Sequence, residues 1–195
     1  MRKFFCFFVL FTFASILVFS QNVNILDYFP SKIGNSWTYA NSSGRTVDIR
    51  TIRNVSERNG IMVYLMENES PGIGTTSTLF GNMNNRIVIL VTRNILGQAR
   101  ENQPPMPILA TIGQEWRYNA RGDDIRFSTS RASCTVDEKI YNDCILVEEK
   151  IFHGNELIMI RKNYYARGIG LVLLTLQMSG EAESIYNKLI NYKIN

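Results

Sequence analysis

The chain reads as an all-β protein built on one antiparallel sheet. Apolar and polar side chains alternate with a period of two along much of its length. Clusters of Gly and Asn interrupt that alternation at short intervals, and no long stretch carries the period of an amphipathic helix. A third observation bears on layout: the two tryptophans stand in one repeated frame, Ile33-Gly34-Asn35-Ser36-Trp37-Thr38-Tyr39 and Ile112-Gly113-Gln114-Glu115-Trp116-Arg117-Tyr118. The expected architecture is a single antiparallel sheet domain, an open half-barrel or sandwich-like sheet in two similar halves. Few or no helices are expected beyond the N-terminal segment.

That segment reads as an address. Arg2 and Lys3 supply a positive start, Phe4 to Phe19 is apolar except for Thr12 and Ser15, and Val18-Phe19-Ser20 suits a cleavage site before Gln21. A signal peptide over residues 1–20, cleaved after Ser20, is expected. A membrane anchor wants about 20 apolar residues, whereas this chain turns polar at Gln21-Asn22, so no integral span is expected after cleavage. Cys6 lies inside the apolar run, away from the cleavage point, and offers no lipid attachment there. Removal of the segment leaves 175 of the 195 residues and lowers the formal charge from +4 to +2. So weak a field, with no basic run beyond Arg161-Lys162, gives no reason to expect nucleic acid as a partner.

Residues 21–195 are expected to form one domain. Val47 to Thr51 alternates, Asn59-Gly60 supplies a tight turn, and Ile61 to Met66 resumes an apolar run, which together read as a hairpin. Thr75 to Phe80 and Arg86 to Thr92 repeat the pattern around Gly81-Asn82-Met83-Asn84-Asn85. Gln98 to Pro107 carries Pro104, Pro105 and Pro107 and reads as a connection, dividing halves of about 21–98 and 107–195. Cys144 to Phe152 pairs with Glu156 to Tyr165 across His153-Gly154-Asn155, and Leu171 to Met178 is a further strand. In the tail, Ile185, Leu189 and Tyr192 also fit a helix face. The β-rich surroundings favour a closing strand over residues 184–194.

Within each tryptophan frame the glycine permits a sharp entry and residues two apart share a face, so Trp37 with Tyr39 and Trp116 with Tyr118 form aromatic pairs. Both pairs are expected chiefly as core. Trp37, Trp116, Tyr164 and Tyr165 are also the candidates for lining a binding surface, the last two as half-exposed aromatics. Cys134 and Cys144 flank a polar turn and suggest a disulfide, which would add about 3 kcal/mol; the alternative is a pair of buried free thiols.

Tyr28-Phe29-Pro30-Ser31-Lys32-Ile33-Gly34-Asn35-Ser36-Trp37 and Tyr164-Tyr165-Ala166-Arg167-Gly168-Ile169-Gly170-Leu171-Val172 resemble the opening and closing motifs of a loose group of exported, uncharacterised bacterial envelope proteins and lipoproteins. Members open on Tyr-Phe-Pro-Leu-x-Val-Gly-Asn-x-Trp and close on Tyr-Ala-x-Gly-Val-Gly-Leu-Val. The resemblance implies an envelope β domain and an open half-barrel, and brings no activity that attaches to named residues.

No catalytic constellation stands out. His153 is the one histidine and falls in a turn, where a solvated polar residue is expected. A zinc site lacks ligands, and Asp123-Asp124 and Glu148-Glu149 are strand neighbours whose carboxylates point to opposite faces. Gly168-Ile169-Gly170 lacks the third glycine and the helix of a dinucleotide loop. No catalytic residue, metal or cofactor is therefore assigned. The leading expectation is a non-enzymatic envelope protein that binds an apolar or lipid-like ligand or another envelope protein. A hydrolase acting on envelope polymer is the alternative, and adhesion through Arg121-Gly122-Asp123 a lesser one.

Overall fold

A computed structural model describes residues 23–120 and 122–195. The expected signal peptide at residues 1–20, its cleavage point and Arg121 of the Arg-Gly-Asp tripeptide lie outside the described residues. After a single 3-10 turn at Ile25–Tyr28, the chain forms twelve strands among the described residues. They are β1 (Ser36–Ala40), β2 (Thr46–Arg58), β3 (Ile61–Ser70), β4 (Gly74–Met83), β5 (Arg86–Arg93) and β6 (Ala99–Ala110), then β7 (Glu115–Ala120), β8 (Asp123–Val136), β9 (Lys139–His153), β10 (Glu156–Ala166), β11 (Gly170–Met178) and β12 (Ser184–Lys193). All pair antiparallel in one open sheet of order β6-β5-β4-β3-β2-β1-β12-β11-β10-β9-β8-β7.

That order is two six-stranded meanders placed back to back. β1 to β6 run outward from the centre to one edge, β7 to β12 run inward from the other, and β1 pairs with β12 where the meanders meet. Residues 111–114 are the sole covalent link between the two edge strands. Four residues reach at most about 18 Å, so the sheet curls until its edges approach each other. Arg86 of β5 accordingly donates from Nη2 to Gln114 Oε1 at 3.0 Å and lies 5.8 Å from the ring centre of Trp116 on β7.

The hairpins follow from their turn residues. Asn59 and Gly60 have φ of 52° and 75°, and Asn84 and Asn85 have φ of 52° and 57°. Two successive left-handed residues make the turn whose twist matches that of the flanking strands. The proline-rich segment differs from expectation, since it runs as β6, with Val88 opposite Pro107 and Ile89 opposite Met106. Proline has no N–H to offer a further strand, so an edge position suits it. The link between halves is residues 111–114. The tail is β12, a central strand held by β1 on one side and β11 on the other, which leaves no place for a helix.

The expected Cys134–Cys144 disulfide is corrected. Both cysteines are free and buried, with their sulfurs 4.0 Å apart, about twice the length of a disulfide bond. A bulge between Ala132 and Cys134 sets Cys144 opposite Ala132 and Cys134 opposite Tyr141, so the two thiols meet as offset neighbours. Their contact and their burial push the Cys134 thiol well above its ordinary range.

Candidate functional site: an aromatic cleft over β1

The two tryptophan frames make the same turn. Gly34 (φ 85°) donates its N–H to Ile52 O at 2.9 Å, and Ile52 donates back to Asn35 O at 3.0 Å. Gly113 (φ 82°) donates to Thr129 O at 3.0 Å, and Thr129 donates back to Gln114 O at 2.9 Å. Each frame thereby opens its meander on a matched register. Trp37 lies opposite Arg50 and Tyr39 opposite Asp48, whereas Trp116 lies opposite Phe127 and Tyr118 opposite Ile125.

The opening and closing sequence motifs meet at this place. Trp37 Nε1 donates to Ile169 O at 2.5 Å and the Tyr39 hydroxyl donates to Leu171 O at 2.9 Å. Below them Gly168 donates its N–H to Asp27 O at 2.6 Å. Arg167 binds the carboxylates of Asp143 at 2.6 Å and Asp27 at 3.1 Å, and Asp143 also accepts from the Tyr28 hydroxyl at 2.8 Å. The two distant motifs are one interlocked structure. Between them lies a cleft walled by Phe29, Trp37, Tyr39, Phe80, Tyr165 and Leu171, with Arg50 also lining it. It encloses a cavity of about 50 Å³, and its empty space including the open mouth is about 390 Å³.

Arg50 is the charged residue of this wall. Its Nε donates to Asp48 Oδ2 at 2.7 Å, its guanidinium carbon lies 4.6 Å from the centre of the Tyr39 ring, and the Arg50 and Asp48 side chains are 23% and 13% exposed. Burial pushes the Tyr39 and Tyr165 hydroxyls above the ordinary phenol range. The pair is not fully satisfied. Among the described residues Asp48 Oδ1 is buried without a hydrogen-bond donor, as are Oδ1 of Asp124 and Oδ1 of Asn68, the residue opposite Arg50 on β3. A second interior ion pair lies across the sheet, where Glu149 accepts from Arg161 at 3.0 Å and from Asn163 at 2.8 Å. Burial raises the Glu149 carboxyl despite both partners.

The four aromatic candidates do not converge. Trp37 (4% exposed) and Tyr165 (7%) line the cleft, so Tyr165 is buried and not the half-exposed residue expected. Tyr164 is half-buried and lies near Lys162 and Glu183. Trp116 is half-buried on edge strand β7, stacked on Phe127 at 4.9 Å, and lines a separate open groove with Arg126 and Phe152. The expectation that both tryptophans are equivalent core anchors therefore holds for Trp37 alone. His153 is exposed at the end of β9, just before the Gly154-Asn155 turn, and contacts Asp123 at 3.0 Å. Among the described residues no three His, Cys, Asp or Glu side chains converge as metal ligands.

Sequence reasoning missed Asp48 and Arg50. A signal existed, because Asp48-Ile49-Arg50 is spelled again as Asp124-Ile125-Arg126, and Arg126 Nε likewise donates to Asp124 Oδ2, at 2.8 Å.

No protein-family model matches the chain, and no curated protein matches it. Two solved structures are similar. One is a protein described as a lipoprotein from Parabacteroides distasonis, with TM-score 0.56 and 14% identity over 85% of this chain and 98% of that one. The other is a protein described as exported, with a YmcC-like fold, from Bacteroides fragilis, with TM-score 0.49 and 13% identity over 84% of this chain and 97% of that one. The first of these supports a shared fold.

Proposed function

We propose that the chain is an exported, non-enzymatic protein of a bacterial envelope whose work is binding, and that an apolar, lipid-like ligand lodges in the cleft over β1. Export is supported by the signal-like segment at residues 1–20. The observation that carries the binding reading is the Asp48–Arg50 pair in an aromatic wall. A partly satisfied ion pair is an expensive way to fill an apolar interior, and a ligand would lie mainly in the open mouth of the cleft, since the enclosed part is about 50 Å³. Native mass spectrometry of protein purified from its own envelope tests the reading. A retained small molecule, lost when Trp37 is substituted, supports it; a bare protein that binds no hydrophobic probe contradicts it.

A second reading, docking of another envelope protein, has its own observation. Ile185, Tyr186, Ile190 and Tyr192 of β12 are 41%, 56%, 46% and 38% exposed, although β12 is a central strand. An uncovered apolar stretch there suits a partner surface. A photo-cross-linker in place of Tyr186 that captures one discrete envelope protein would favour this reading over the first.

A further inference from the structure

The first meander has a second concave surface, on the face turned away from the core. Tyr64 and Met66 of β3 pack into the core with Phe29, and successive residues of a strand point to opposite faces, so Val63 and Leu65 look the other way. Across β2 to β6 the register sets Asn54, Leu65, Leu79, Val91 and Glu101 in one line, each directly opposite the next. Four strand spacings make that line about 19 Å long, of which Leu65, Leu79 and Val91 form an apolar middle of about 10 Å. A groove follows the line, with Val63 in its floor and Arg58 and Arg93 also lining it. Its volume is about 560 Å³, inside the range of about 300–1,000 Å³ for small-molecule sites. Beside it Ile61 and Leu90 close over β4, where a Cβ on Gly81 would sit 3.4 Å from Ile61 Cγ2 and 3.1 Å from Leu90 Cδ1. Leu65, Leu79 and Val91 are half-buried at places where a solvated sheet face ordinarily carries polar side chains.

Charge is distributed unevenly along the groove. At the β6 end Glu101 lies diagonal to Arg93, since Val91 is opposite Glu101 and Arg93 is opposite Ala99, so the two charges balance there. At the β2 end Asn54, Ser56 and Arg58 are spaced two apart and share one face of the strand. Glu57 points to the other face, and among the described residues no carboxylate pairs with Arg58. One guanidinium holds a carboxylate through two parallel N–H bonds, and the Ser56 hydroxyl and Asn54 amide beside it are further donors. Glu101 repels an anion from the far end, which fixes the direction of the ligand, and an apolar middle of about 10 Å takes one short alkyl chain. We infer that this groove is a second binding site, separate from the cleft over β1, for a short fatty carboxylate. The carboxylate lies at Arg58, Ser56 and Asn54, and the alkyl chain lies on Leu65, Leu79 and Val91.

Titration of the full mature chain with octanoate and with octanamide at neutral pH tests this, read by NMR at the methyl groups of Leu65, Leu79 and Val91 and at the Trp37 indole N–H. Octanoate is expected to shift those methyl signals and to bind about fivefold tighter than octanamide, the upper size of an exposed ion pair. Arg58→Gln should abolish the preference, whereas Arg93→Gln should keep it. Both arginines are exposed, so neither substitution threatens folding. Equal affinities, a preference for octanamide, or a preference that survives Arg58→Gln would overturn the proposal. Shifts confined to the Trp37 indole would place the compound in the cleft over β1 and overturn the groove as its site, as would the binding of neither compound.

Discussion

Trp37 and Trp116 carry identical neighbours in sequence yet stand in different surroundings, because β1 lies at the centre of the sheet and β7 at its edge. Trp37→Ala should therefore cost about 3–5 kcal/mol, the range for emptying a buried aromatic site, whereas Trp116→Ala should cost less, about 1–2 kcal/mol, because its ring packs against the core from a half-buried edge position. Urea unfolding of both variants measures the difference; equal losses would contradict the assignment. The aromatic pairs were legible from the frame alone. Their burial was not, since strand order is a property of pairing between segments far apart in the chain. Asp143 offers a separate check. Its burial raises its pKa, but the Tyr28 hydroxyl and the Arg167 guanidinium outweigh that and hold it below the ordinary 3.8. A lowered carboxyl contributes stability above its unfolded pKa and loses it as pH falls through the folded one. Stability should thus decline as pH falls through and below the ordinary 3.8, and Asp143→Asn should flatten that decline. The loss from Asp143→Asn at neutral pH should stay within about 1 kcal/mol, since the side chain is partly solvated.

The hairpins were legible at the scale of the element because a turn such as Asn59-Gly60 fixes its strands locally. β6 was not, since prolines that bar a central strand are compatible with an edge. The cysteine pairing was not legible either, because the bulge after Ala132 changes which residues face each other. The closing motif makes the most testable element. Gly170 has φ of 100°, and a Cβ there would sit 3.4 Å from Pro30 Cδ and 3.5 Å from Trp37 Nε1. That backbone region strongly disfavours other residues. Gly170→Ala should destabilise by about 1–3 kcal/mol and red-shift the native tryptophan emission as the wall around Trp37 loosens. Gly180→Ala, with open space around its Cβ position, serves as the control and should leave the emission unchanged.

At the scale of the molecule, the fold is two meanders that share one interior and are tied by the β1–β12 pairing and by residues 111–114. A chain of residues 23–110 would lose the Ile169 and Leu171 carbonyls that hold Trp37 and Tyr39 and the Tyr165 and Leu171 side of the cleft that Phe29 and Phe80 line, so it should show no cooperative unfolding transition by circular dichroism; a sharp transition would show that the meanders fold independently. The all-β class and the two-fold layout were readable from period and repeat. The placement of Asp-Ile-Arg was not, because faces follow parity within a strand and the turn decides how that parity carries to the next. The loop after β1 differs from the one after β7, and one copy of the tripeptide turns inward. On the proposed binding reading this inward copy serves a ligand, and folding does not require it. Urea unfolding of a graft that places the second meander's residues in the first, Asp48→Ile with Arg50→Phe, measures this. Stability should be unchanged or raised by up to about 4 kcal/mol, as when buried ion pairs give way to apolar packing; a loss of about 3 kcal/mol or more, of the size seen when a needed buried pair is broken, would show that folding needs the pair.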